Sequence, residues 1–314
     1  MEKKMKIAFL NKFQNKVFRG AETYVYELSK RLSKNHEVDI ISKVNYFDLL
    51  KKRYDVIIPT NGRLQALIVR KITWLTGAKM IISGQSGKGL DDRINLYCFP
   101  DVFVALSTKA LSWAKKVNPF IKSVYIPNGV DLDRFKIYDL RSKSGAKTVL
   151  CVGAATKQKR LDLAIMAVAK LKDVNLLIAS GGGELKKEIR DLGIKMLGKD
   201  RFELISVPFG KMPEVYRVAN AFTLPSASSE SFGNVLVEAM ASGLPVVATD
   251  DPIRQEIVGN AGILVDPTNT AHYAEAIKSV LEGEWSKKAI QQAKKYDWDI
   301  IATQYEKILA SFEA

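Results

Sequence analysis

Cysteine and histidine are almost absent: Cys98, Cys151, His36 and His272 are the only ones in the 314 residues. With no CxxC spacing and no clustered His, a zinc site or a disulfide framework has no ligands to build on. His36 stands just ahead of a strand and His272 inside a helical pattern, so both read as structural, and Ser-His-Asp or Cys-His chemistry lacks its base. Such cysteine usage suits a reducing cytoplasm. Long apolar runs are missing too. The run Ile7 to Leu10 near the start is far too short for a signal peptide or a membrane span and reads as a first strand. A phosphate loop is likewise missing. "GQSGKG", Gly84 to Gly89, is short and no Ser or Thr follows Lys88, while "SGGGEL", Ser180 to Leu185, is not GxGxxG.

What is present is a soluble globular composition, 47% hydrophobic and 26% charged, long enough for two domains. The formal charge of +14 is unevenly spread: residues 1–143 hold 27 Lys and Arg against 13 Asp and Glu, and residues 144–314 hold 21 of each. A basic half of this kind attracts polyanions or an anionic membrane surface. A lysine-rich surface serving only solubility is the alternative. Nucleic acid is not expected, because no recognised nucleic-acid module appears.

Short β-branched runs alternate with helix-period segments from "KIAFL" to "SVYIP", and again from "TVLCVG" to "GILV". Repeated β–α alternation predicts an α/β protein with parallel sheets covered by helices on both faces. The turn-rich, charged stretch "PNGVDLDRFKIYDLRSKSGAK", Pro127 to Lys147, reads as a linker. The expected domains are 1–143, 144–296 and a C-terminal helix, 297–314, which is expected to pack back on the first domain. Ligands of doubly wound sheets bind beyond the carboxyl ends of the strands, so the loops that follow strands are the informative ones.

In "SSESFGNVLVEAMASGLPVV", Ser228 to Val247, two carboxylates interrupt what otherwise reads as buried helix and strand. Ser231 is expected to cap the helix, with the amides of Phe232, Gly233 and Asn234 in its first turn, which suits a phosphate or sugar hydroxyls. Glu230 then stands at the mouth of the cleft. Glu238 lies one turn beyond Asn234, where a buried charge needs donors that a pair of ribose hydroxyls would supply. Alternatively, Glu230 only complements the helix dipole and Glu238 sits on a solvated face.

This stretch resembles the E-x7-E signature of retaining glycosyltransferases of the GT-B fold, particularly their large family four. "EIVGNAGILVDP", "IPNGVDLDRF" and "YDWDIIATQYEKIL" resemble the family's flanking segments. The resemblance implies two Rossmann-like domains facing each other across a cleft. It also implies that Glu230 lies beside the transferred sugar, that Glu238 holds the nucleotide ribose, and that Phe232 to Val235 cradle sugar and phosphate through backbone amides. "CVGAATKQKRLDLAI" resembles the diphosphate-binding segment that follows Gly153. There Lys159 matches the family's Lys, but its Arg is replaced by Ala154, with Arg160 or Lys157 as candidates to compensate; a solvated helix start is the alternative. Gly182 and its neighbours could line the donor phosphates. In "KVFRGAETYVYELSKRL", Gly20 matches the family's loop glycine, unless it is only a turn residue. Gln85 or Ser86 takes the place of the His this family often carries, and Lys88 could touch an acceptor phosphate. The Asp pairs of "DLD" and "DWD" fall in the linker and at a helix start, so no metal or other cofactor is expected.

The resemblance thus implies a transferase that moves a sugar from a nucleotide-sugar donor to an acceptor hydroxyl with retention of configuration. The acceptor is expected to be a glycan or lipid-linked sugar in glycolipid or polysaccharide synthesis. The expected place is cytoplasmic, peripheral on the inner membrane face. Basic, aromatic segments such as "RLQALIVRKITWLTGAK" suit shallow membrane contact, although core packing explains the same apolar residues. A non-catalytic sugar-nucleotide-binding protein and a nucleotide-sugar epimerase of the same fold are the rival readings.

Overall fold

The computed structural model describes residues 4–14, 20–86, 89–136 and 145–313. The chain begins with β1 (Lys6–Leu10), α1 (Gly20–Leu32), β2 (Glu37–Ile41), α2 (Tyr46–Lys52), β3 (Val56–Pro59) and α3 (Arg63–Thr76). It continues through β4 (Lys79–Ser83), α4 (Leu90–Tyr97), β5 (Val102–Ala105), α5 (Thr108–Val117) and β6 (Ser123–Tyr125). A second series follows: α6 (Leu132–Phe135), β7 (Lys147–Val152), α7 (Leu161–Val168), β8 (Val174–Ala179), α8 (Lys186–Arg201), β9 (Phe202–Ile205) and α9 (Met212–Arg217). Then come β10 (Ala221–Leu224), α10 (Asn234–Ala241), β11 (Val246–Thr249), α11 (Pro252–Val258), β12 (Gly262–Val265), α12 (Thr270–Glu282) and α13 (Ser286–Ala293). The last helix is α14 (Trp298–Ala310). These elements form two compact units, one of residues 1–129 with 297–314 and one of residues 130–296.

The first unit is a parallel six-stranded sheet in the order β2-β1-β3-β4-β5-β6. Its inner strands β1, β3, β4 and β5 are near-continuous buried apolar runs, as a sheet covered on both faces requires, with successive side chains pointing to opposite faces. Ile7, Phe9, Val56 and Ile58 pack with Tyr24, Leu28, Trp298, Ile301 and Tyr305, so α1 and α14 cover one face. Ala8, Leu10, Ile57 and Met80 pack with Leu49, Val69, Leu96 and Ala114, so α2 to α5 cover the other. The helical spacing of Trp298, Ile301, Tyr305 and Leu309 is therefore a buried stripe on the first unit. Asp299 accepts from Arg31 Nε at 2.6 Å, and His36 meets Glu306 at 2.6 Å. His36 Nδ1 accepts from the Met5 N–H, so Nε2 carries the ring proton and donates it to Glu306. That histidine is a strut.

The second unit is a parallel sheet in the order β12-β11-β10-β7-β8-β9. Its strand order reverses between β7 and β10, the switch point beyond whose carboxyl ends ligands of such sheets bind. Within this unit the expected linker is partly ordered structure. Asp131 caps α6 by accepting from Arg134 N, and Phe135 packs edge-on against Tyr216 at 5.6 Å. Packing thus puts the boundary at Gly129/Val130 rather than at 143/144, because an aromatic anchor outweighs the turn-forming composition around it. Residues 137–144 lie outside the described residues.

Candidate functional site

Of the loops that leave the carboxyl edge of the second sheet, those after β7, β8, β10 and β11 are stitched together by hydrogen bonds. Ala155 N donates to Gly182 O at 2.7 Å, and Leu185 N donates to Ala155 O at 2.9 Å. Gly183 permits this approach: its φ is +122°, and a Cβ there would stand 2.3 Å from Ala155 O. Gly183→Ala should therefore cost about 1–3 kcal/mol in backbone strain. An unchanged thermal midpoint in calorimetry would contradict the contact.

The loops after β7 and β10 meet through Ala227 N to Gln158 O, 2.8 Å, and Gln158 Nε2 to Ser229 Oγ, 3.3 Å. Beside them Lys159 Nζ donates to both oxygens of Glu230, at 2.8 and 2.6 Å. Both side chains are largely withdrawn from solvent, with 18% and 15% exposure, so the pair is screened less than a surface ion pair. The Lys159 stem runs across Gly153, where a Cβ would come within 3.2 Å of Lys159 Cδ. The glycine gives the ammonium its path.

Glu238 projects from α10 and accepts a 2.7 Å hydrogen bond at Oε2 from the Tyr216 hydroxyl. Desolvation raises its carboxyl above the usual carboxylate range, opposed by the Tyr216 hydrogen bond and by the charge of Arg134. Burial, together with the charge and hydrogen bond of Glu238, in turn raises the Tyr216 phenol well above its ordinary value. Among the described residues Oε1 of Glu238 has no hydrogen-bond partner, so one oxygen remains to receive a ligand hydroxyl. The solvated-face alternative does not describe this residue.

The cap is corrected. Gly233, at φ +92°, is the N-cap of α10 with no side-chain capping bond, and Asn234 is the first helical residue. Ser231 belongs to the preceding loop, because only the left-handed glycine makes the turn into the helix. Phe232 is buried edge-on against Tyr296 at 5.9 Å, so its ring is core and only its backbone can serve a ligand. Val235 follows in the first turn of α10. Arg160, at φ +51°, is the N-cap of α7, and its charge is felt at Asp266 and Tyr273. Ala154 and Lys157 are exposed, and the Lys157 N–H reaches Glu184 Oε1 at 3.4 Å.

The first unit carries the remaining candidates separately. Gly20 opens α1, and residues 15–19 before it lie outside the described residues, as does Lys88. Gln85 exchanges amide hydrogen bonds with Asn128 in both directions at 3.0 Å. It lines a small polar recess of about 90 Å³ with Thr60, Asn61, Ser83, Ser86 and Asp92. Asp297 in this unit, like Asp131 in the second, acts as a helix cap.

Sequence reasoning missed the frame beneath Glu230. Asp251 caps α11, and the fully buried Arg254 pairs with it. Arg254 Nη2 also donates to Ser226 Oγ at 2.7 Å and to Ala227 O at 3.1 Å, while Thr249 Oγ1 donates to Ser226 O at 2.8 Å. This cross-brace sets the height of the loop that carries Glu230. Its signal was legible as Asp251 and Arg254 at i, i+3 around a Pro at the first helical position, just after a strand. Tyr216, the partner of Glu238, had no comparable signal.

Comparison with known proteins identifies the fold and the family. The phosphatidyl-myo-inositol mannosyltransferase of Mycolicibacterium smegmatis is 32% identical over 201 residues, covering 59% of this chain and 51% of that protein. The D-inositol 3-phosphate glycosyltransferase of Mycobacteroides abscessus is 30% identical over 207 residues, covering 59% and 46%. The chain spans about half the length of the curated relatives it matches. Among solved structures, Anabaena HepE in complex with UDP and glucose superposes with a TM-score of 0.82 at 18% identity, covering 98% of this chain and 100% of that one. A Rickettsia africae glycosyltransferase gives 0.83 at 17% identity, covering 98% of each. The shared fold is GT-B, with its two parallel-sheet domains. The profile of the glycosyl transferases group 1 matches residues 134–296, just over half of the chain, and the chain belongs to that family.

Proposed function

We propose that this protein transfers a sugar from a nucleotide-sugar donor to an acceptor hydroxyl with retention of configuration and without a metal. The observation that carries the reading is the Lys159–Glu230 pair at the β7/β10 switch point, with Glu238 on the helix that follows. A donor diphosphate carries the negative charge that Lys159 would otherwise share only with Glu230. Binding would then turn the ammonium toward the leaving phosphate and free the Glu230 carboxylate for the sugar, where it supports positive charge developing at the anomeric carbon. Glu238 Oε1 would accept from a ribose hydroxyl while Tyr216 holds its twin oxygen. The leaving phosphate takes the acceptor proton, so the protein's task is positioning rather than strong base catalysis. The acceptor is a polyol or glycan, free or lipid-linked, met at the anionic inner face of the cell membrane. The relatives whose names specify inositol derivatives support that acceptor class, and HepE solved with UDP and glucose supports the donor class.

A panel of nucleotide sugars, each offered with and without membrane extract, tests the reading. Turnover that needs acceptor supports it. Donor conversion with no acceptor would mean an epimerase, and binding without any turnover would mean a carrier. Ala154, exposed where the family has a cation, is the observation that keeps the carrier reading in view.

Glu238→Gln separates binding from folding. The raised carboxyl means that the folded state pays a desolvation cost above its own pKa, and that the cost is relieved as pH falls through that value toward the ordinary carboxylate range. The amide carries no such cost, so the variant should melt no earlier than wild type at neutral pH, with any advantage shrinking in acid. Donor affinity should nevertheless fall roughly ten- to a hundredfold in calorimetric titration, the worth of a charged hydrogen bond.

A further inference from the structure

The two helical faces of the first sheet differ in a way that its fold does not require. The buried side of α3 is Ala66, Val69, Ile72 and Thr73. Its outward side is also apolar: Leu64, Leu67, Trp74 and Leu75 are all exposed, Trp74 at 67% and Leu75 at 79%, and they follow one another at helical spacing with Lys71 in the middle. Phe47 on α2, 74% exposed, and Phe120 after α5, 87% exposed, belong to the same layer of helices. Large apolar side chains gathered on one layer mark a surface that meets something.

Charge identifies the partner. Helices α2 to α5 carry 9 Lys and Arg against 3 Asp and Glu, a net of +6, whereas α1 and α14 on the opposite face carry 3 against 4, a net of −1. The opposite face also exposes only two large apolar side chains among its described helical residues, Tyr26 and Ile300. The cations and the apolar stripe thus coincide. A second copy presenting the same +6 face would be repelled, which rules out self-association as the use of this surface. Arg70, ion-paired with Asp101 at 2.7 Å, lies 5.2 Å from the Trp74 ring centroid and braces the exposed indole, a side chain that sits comfortably where lipid headgroups meet acyl chains. Among the described residues no helix is long and apolar enough to cross a membrane, so the contact is parallel to the surface.

We propose that the α2–α5 face docks on an anionic lipid bilayer, with α3 lying in the interface and Leu67, Trp74 and Leu75 immersed. This rests on the reading of the chain as a transferase that works at a membrane, and it specifies the surface used. Lys71, Lys115 and Lys116 supply the headgroup attraction, while the apolar stripe supplies the depth.

Flotation of the full chain tests it, using vesicles of phosphatidylcholine alone or mixed in equal parts with phosphatidylglycerol. The wild type should float with the mixed vesicles and stay behind with the neutral ones. Lys115→Gln with Lys116→Gln should weaken partitioning about 30-fold. Leu67→Ser with Trp74→Ser and Leu75→Ser should weaken it about a hundredfold, and because these side chains are exposed the fold is retained. Tyr26→Ser, an exposed aromatic lost from the opposite face, should change nothing. Equal flotation of the α3 variant and wild type, failure of wild type to bind anionic vesicles, or concentration-dependent dimers abolished by the α3 substitutions would each overturn the proposal. Turnover on a water-soluble acceptor reads the transferase assignment independently, so failure of one is distinguishable from failure of the other.

Discussion

Lys159→Ala should lower kcat by about 10²- to 10³-fold while leaving KM for the donor within a fewfold, the signature of a contact that matters most as charge develops on the leaving group. The family's second cation is absent here because its position is Ala154, which leaves Lys159 as the ammonium threaded over Gly153 toward the β7/β10 crevice. Arg160 is the N-cap of α7 and, unlike Lys159, makes no ion pair with Glu230 among the described residues, so Arg160→Ala should cost much less. Lys159→Arg should recover only part of the rate, since the planar fork does not reproduce the compact ammonium that sits between both Glu230 oxygens at 2.8 and 2.6 Å. Steady-state kinetics with a single donor decides. A Lys159→Ala enzyme retaining more than about a third of wild-type kcat would remove this residue from the chemistry.

Asp251→Ala should be the most damaging single change to stability, at about 3–5 kcal/mol, because it strands the fully buried Arg254 guanidinium without its counter-charge. Asp251 also accepts from Ile253 N and Arg254 N, so the cap of α11 is lost with it. Replacing both partners, Asp251→Ser with Arg254→Met, should cost distinctly less than Asp251→Ala alone, since no charge is left buried. The double variant still lacks the bonds to Ser226 and Ala227, so its Glu230 loop should loosen and its kcat fall even where its melting point recovers. Urea denaturation beside kinetics separates the two effects. Equal destabilisation by the single and double changes would contradict the ion-pair argument.

The strands and the α/β class could be read because their signal is local: a short continuous apolar run such as "IAFL" or "TVLCV", bounded by turn residues and followed by a helical pattern, is enough to set a strand of a sheet buried on both faces. The expectation for Glu230, Lys159 and Glu238 came from a different source, since their spacing matches a family pattern rather than any physical period, and the structure places Lys159 against Glu230. The cap was misread because Ser231 has the better capping side chain, whereas the turn is decided by the backbone of Gly233 two residues later. The boundary was misplaced because "PNGVDLDRF" has turn composition, and nothing local says that Phe135 will find Tyr216. Arg254 was passed over since a lone arginine in a helix reads as solvated. Only the tertiary structure brings Ser226 and Ala227 beneath it.

The return of the final helix to the first sheet gives the chain a topology of insertion. Val130 N donates to Tyr296 O at 2.7 Å, so the second unit enters and leaves at one doorway, and Gly129 lies directly under the Trp298 ring where the first unit resumes. The second unit is thereby a cassette spliced into its host. Exchange of that cassette for a relative's, joined at 129/130 and 296/297, would leave every core contact of the host untouched, whereas a cut that simply stopped after residue 296 would strip the host of an entire wall.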